Sequence, residues 1–159
     1  MDKNKSRAAI YLTAILTAVF MIIASFIIGR NSGITSDTGL KIDTKAVSWS
    51  ASVDDGEHGG IKIPGYGDIY FPADETSVKI TLYNPEANNC LFSFELYLDN
   101  DENPISSTGL IEPGKAVTEA ELNRALNIGE YELKIKVNVF SAEGKTMNNA
   151  IVKTKLFVI

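Results

Sequence analysis

Tyr131, Leu133, Ile135, Val137 and Val139 alternate with Glu132, Lys134, Lys136 and Asn138, a period of two that no helix keeps on one face. Burying such a face contributes on the order of 10 kcal/mol gross, at ~1.5–3 kcal/mol per side chain, which chain entropy largely cancels. A strand this apolar on one side must find a second sheet.

The same period recurs. Val78, Ile80 and Leu82 alternate with Lys79, Thr81 and Tyr83 up to Asn84-Pro85. Cys90, Phe92, Phe94, Leu96 and Leu98 alternate with Leu91, Ser93, Glu95 and Tyr97, and Val152, Thr154, Leu156 and Val158 alternate with Lys153, Lys155 and Phe157. Val47, Trp49 and Ala51 open the series as a further core strand before the turn residues Asp54, Asp55 and Gly56. Short strands separated by turn signals predict an all-β sandwich over residues 46–159. One helix is predicted among them. Thr118 and Glu121 have capping-box spacing, and Leu122 and Leu126 follow four apart, giving about two turns closed near Gly129.

Ahead of the strands lies a different solvent preference. Residues 8–29 contain no charge, and as a helix they would reach about 33 Å at ~1.5 Å per residue, enough for a bilayer core of roughly 30 Å. A cleaved signal would have a shorter apolar run and a small-residue end, whereas this run closes on Phe26, Ile27 and Ile28. No cysteine follows it to carry a lipoprotein anchor. Lys3, Lys5 and Arg7 outnumber Asp2 in residues 1–7, so the expected topology is a cytoplasmic amino terminus, a single span, a polar linker over residues 30–45 and an outside β domain. From Arg30 onward the net charge is −7, which favours standing off anionic headgroups. Ala14 and Ala18 form one small-xxx-small pair through which two anchors would touch as a weak homodimer.

Leu126, Gly129 and Tyr131 make L-x-x-G-x-Y directly before the long alternating run, and this resembles the tyrosine corner of immunoglobulin-like and fibronectin-type sandwiches. The resemblance implies a Tyr131 hydroxyl bonded to the backbone a few residues upstream. The paired cysteines and intervening Trp of antibody domains are missing, so it carries the architecture only. Ile63-Pro64-Gly65-Tyr66, Asn84-Pro85-Glu86, Asn89-Cys90, Ile111-Glu112-Pro113-Gly114-Lys115, Gly129-x-Tyr131 and Asn148-Asn149-Ala150 resemble small single-pass proteins of Gram-positive Firmicutes, over residues 59–159. That resemblance implies a bacterial cell-surface location and no chemistry.

Searches for chemistry return little. An overall charge of −5 leaves no basic surplus for nucleic acid. His58 is the one histidine, set in the mobile-looking run Asp54-Asp55-Gly56-Glu57-His58-Gly59-Gly60, so neither a multi-imidazole zinc site nor a preorganised triad is at hand. Asp99, Asp101 and Asn103 begin like a calcium loop, but Pro104 and Leu110 stand where glycine and glutamate belong. Gly59, Gly60, Gly65 and Gly67 lack the Lys-Ser/Thr of a phosphate loop, so no cofactor is expected. Cys90, alone in the chain, reads as a small buried hydrophobe, with an intermolecular disulfide as the sharper alternative.

The expected activity is therefore non-catalytic, an interaction or assembly module of the cell envelope with a protein or polymer partner. If the strands over 90–98, 131–140 and 150–158 share a sheet, Tyr97, Lys134, Lys136, Lys153 and Lys155 lie on its outer side as a basic, partly aromatic partner face. Tyr66 and Tyr70, near Pro64-Gly65, form a second candidate as contact anchors on a loop. The competing class is a calcium-dependent surface sensor or hydrolase using the Asp54–His58 and Asp99–Asn103 loops.

Overall fold

A computed structural model describes residues 40–50, 60–99 and 101–159. The proposed span over 8–29, most of the linker and the Asp54–His58 loop lie outside the described residues. Thr38–Ile159 form one compact unit, and among its described residues every regular element is a strand.

The strands are β1 (Val47–Ser48), β2 (Ile69–Phe71), β3 (Ser77–Asn84), β4 (Leu91–Leu98), β5 (Ser106–Ser107), β6 (Lys115–Glu121), β7 (Gly129–Phe140) and β8 (Thr146–Val158). They form a three-stranded sheet in the order β1-β6-β3 and a five-stranded sheet in the order β2-β8-β7-β4-β5. All neighbours are antiparallel except β2, which runs parallel to the end of β8. The strands predicted at 90–98, 131–140 and 150–158 do share one sheet.

The alternation decides which face is covered. Val78, Ile80 and Leu82 of β3 and Val117 and Ala120 of β6 join Phe92, Phe94, Leu96, Leu133, Ile135, Val137 and Leu156 in one buried apolar cluster. The two sheets thus share a core, as a sandwich requires. Phe92 and Phe94 meet edge to face, with ring centroids 6.0 Å apart. Cys90 is buried at the start of this face, and burial pushes its thiol pKa up.

The predicted helix is absent. Thr118 and Glu121 stand in strand β6, where Lys79 opposes Glu119 and Leu82 opposes Val117 across a bulge on β3. Beyond the strand, the Leu122 amide donates to the Thr76 carbonyl (2.7 Å) and the Asn123 amide to the Ile105 carbonyl (2.8 Å). Long-range partners take the backbone groups that a helix would use internally, and a two-turn helix has little stability of its own to resist them. Leu122 and Leu126 are buried, but from a loop.

β1 departs from expectation as well. Among the described residues only Val47 and Ser48 pair with β6, and Val47 and Trp49 are 51% and 37% exposed, so this part of the segment is no core strand, while Ala51 lies outside the described residues. Just before it, Ile42 bridges Leu110 and the Asp43 carboxylate accepts the Gly109 amide at 2.8 Å. Residues from Leu40 onward therefore belong to the β unit, although they were expected in the linker.

A polar pair that sequence reading passed over holds the β3–β4 connection. The Asn84 side-chain amide donates to the Cys90 and Ile111 carbonyls (2.8 and 3.0 Å), and its oxygen accepts from Asn88 (2.9 Å). Asn88 in turn exchanges two bonds with the Lys62 backbone, at 2.8 and 3.0 Å, as a strand residue would. Both side chains are buried and fully bonded, which removes the desolvation cost of placing them there.

Candidate interaction surface

The outer side of the five-stranded sheet is built by strict alternation. In register, Glu95 lies opposite Lys136, Tyr97 opposite Lys134, Lys134 opposite Lys153, Glu132 opposite Lys155 and Glu130 opposite Phe157. The five candidates Tyr97, Lys134, Lys136, Lys153 and Lys155 are thus brought to one face. Glu95, Glu130 and Glu132 stand among them, so the face is mixed in charge and not basic.

Each lysine has a carboxylate. Lys136 Nζ donates to Glu95 Oε2 at 2.8 Å, and the Tyr97 hydroxyl donates to the same oxygen at 3.0 Å. Lys155 Nζ donates to Glu130 Oε1 at 2.8 Å. Lys134 and Lys153, directly opposed like charges, both approach Glu132, at 3.6 and 3.3 Å from Oε1. Lys134 also donates to the Asp99 carbonyl. Burial works to raise the Glu95 pKa, but the bonds from Lys136, Tyr97 and Asn138 outweigh it and hold the carboxyl below its ordinary range. The bond to Glu95 raises the pKa of Lys136 in return, while burial, then Glu95, raises that of Tyr97.

Apolar side chains interrupt the lattice at the β8 side. Tyr70, 58% exposed, stacks on Phe157 with centroids 5.3 Å apart, and Ile151 is also 58% exposed. Beside them, Asp68, Glu130, Tyr131, Glu132, Lys153, Thr154 and Lys155 line an open groove of about 690 Å³.

The paired tyrosine anchors separate. Tyr70 points outward from strand β2, whereas Tyr66 packs against the core and its hydroxyl is buried. Burial drives the Tyr66 pKa well above the usual tyrosine range. Tyr66 is therefore not displayed.

At the corner, the Tyr131 hydroxyl donates to the Asn127 carbonyl at 2.9 Å, four residues upstream. A Cβ on Gly129 would sit 3.3 Å from the Tyr131 ring, so glycine leaves room for the ring to lie across the turn. Leu126 is buried beneath.

The acidic turn does structural work. Asp99, at φ 43°, accepts the Glu132 amide through Oδ1 (2.8 Å), and Asp101 accepts Arg124 (2.5 Å). Asn103 is exposed nearby. The chain matches no protein-family model, no curated protein and no solved structure.

Proposed function

We propose that the chain is a single-pass bacterial membrane protein whose β unit stands outside the cell as an immunoglobulin-like, non-catalytic interaction module. Support for the finer fold comes from the order β8-β7-β4-β5, which parallels G-F-C-C′ of variable-type domains, and from a corner tyrosine at the start of the penultimate strand. The location rests on the uncharged run over 8–29 and its basic leader. In this reading a protein or polymer of the cell envelope docks on the outer side of the five-stranded sheet.

The observation that carries it is that face. Its Lys–Glu lattice fixes long side chains in place before binding, and Tyr70, Phe157 and Ile151 add apolar area next to them. Preorganised polar groups around exposed aromatics lose little entropy on docking. A photoreactive residue replacing Tyr97 in the full chain, irradiated in native membranes, should yield a discrete adduct that Lys134→Glu/Lys153→Glu removes. The same adduct from Glu119, on the outer side of the other sheet, with none from position 97, would refute the assignment.

A further inference from the structure

The five-stranded sheet is open along one side. β8 pairs with β7 for most of its length, while β2 covers it only from Leu156 to Val158. Two independent observations fix which backbone groups face that opening. The Ile159 amide donates to the Phe71 carbonyl (3.0 Å) and its carbonyl accepts from Ala73 (2.9 Å), so odd-numbered residues at this end of β8 face the β2 side. At β7, the Glu132 carbonyl accepts the Asp99 amide, so even-numbered residues face β4 and odd ones face β8. Their register partners are Ala150, Val152 and Thr154. Both observations turn the N–H and C=O groups of Asn149, Ile151 and Lys153 away from β7, where no described residue bonds to them.

The opening has two ends. The Thr154 hydroxyl donates to the Gly67 carbonyl (2.7 Å), bringing the chain before β2 across the edge, and beyond Asn149 the register shifts between Asn138 and Phe140. Ile151 is the midpoint. The stretch from Asn149 to Lys153 holds no proline, and Lys153 is its one charge, so it lacks most of the devices that blunt a sheet edge.

We propose that a second copy of this chain pairs here, β8 against β8, antiparallel about a two-fold axis through Ile151, joining the two five-stranded sheets. A residue on such an axis exchanges both backbone bonds with its own copy only if those groups face outward, as those of Ile151 do. This register sets Ile151, 58% exposed, against the partner's Ile151, and Lys153 against the partner's Asn149. Shifting the axis by one residue turns the bonding groups inward. Moving it to Lys153 sets lysine against lysine, and moving it to Asn149 meets the register shift. The pairing uses the β unit alone and does not rest on the membrane reading.

Cysteines placed singly at 151, 149 and 153 in the detergent-solubilised full chain, under mild oxidation, test this, with wild type controlling for buried Cys90. Facing Cα atoms about 5.5 Å apart fall within disulfide range, so Ile151→Cys should give predominantly a linked dimer. Asn149→Cys and Lys153→Cys, each about 13 Å from its own copy at ~3.3 Å per residue, should give little, and the double variant should link strongly. Melting curves matching wild type confirm folding. Equal linking at all three single sites, as a dimer held elsewhere would give, or no linking from folded Ile151→Cys, overturns the proposal.

Discussion

The two sheets enclose one core but are held in different ways. β4 and β7 run in unbroken register from Leu91 opposite Phe140 to Leu98 opposite Leu133, and β7 continues against β8. The three-stranded sheet has a bulge in the middle of its β3–β6 pairing, between Lys79 and Leu82, whereas the five-stranded sheet keeps its register shift near the end of β7, between Asn138 and Phe140, and its short strands β2 and β5 at its edges. A strand paired on both sides must keep a strict period of two, because a slip of one residue would invert every side chain. A strand at an edge or bulge escapes that constraint, and its side chains then obey local needs.

This difference sets what sequence patterning reveals. Val78, Phe92, Leu133 and Leu156 were all legible as core from alternation, and all are buried. Thr118 to Leu126 was misread because β6 departs from strict alternation opposite the β3 bulge, Thr118 and Glu119 both being exposed, which leaves a capping-box spacing in a stretch whose next backbone amides bond to Thr76 and Ile105. Val47 and Trp49 alternate correctly, yet nothing in a period tells whether a second sheet covers it. The Lys–Glu partners were hidden for another reason, since pairing register alone brings them together, and the Asn84–Asn88 pair was hidden because its further partners, Ile111 and Lys62, lie 27 and 26 residues away along the chain. The corner Tyr131 was accessible from its local motif, with its partner Asn127 only four residues away.

The sharpest way to break the comparison is to truncate one aromatic in each sheet. Phe92→Ala, at a fully buried site of the regular sheet, should cost about 3–5 kcal/mol in urea unfolding, whereas Trp49→Ala beside β1 should cost about 1 kcal/mol or less. Equal losses would mean that the edge segment is as deeply packed as the core. Next in size is Asn84→Ala, which strands the Cys90 carbonyl and one Asn88 donor, leaves the Ile111 carbonyl with the Phe92 amide alone, and should cost about 2–3 kcal/mol. A neutral result would show that the connection between the sheets does not depend on that pair.

Tyr131→Phe deletes only the hydroxyl bond at the corner, and since that bond is solvent-accessible the expected loss is about 1 kcal/mol. An unchanged urea midpoint would remove the corner from the list of features holding β6 to β7. The smallest effect belongs to the outer lattice. Lys136→Gln should change stability at neutral pH by less than about 1 kcal/mol, yet raise the Glu95 pKa visibly in carboxyl NMR titration. The depressed folded-state pKa of Glu95 contributes stability above its unfolded value near ~4.3, lost as pH falls through the lower folded value. The raised pKa of Lys136 contributes below ~10.4 and is lost as pH rises past the folded value. Lys136→Gln should flatten both limbs, and an unaltered Glu95 titration would mean that the pair is not formed in solution.

Both sheets belong to one unit, and the functional account stands on that unit lying outside a membrane held by residues 8–29. Protease added to intact protoplasts carrying the full chain tests this most directly. The account predicts that cleavage falls in residues 30–39 and releases a folded fragment ending at Ile159, its mass read by spectrometry, with the anchor left in the membrane. Protection of the β unit until the cells are lysed would contradict it.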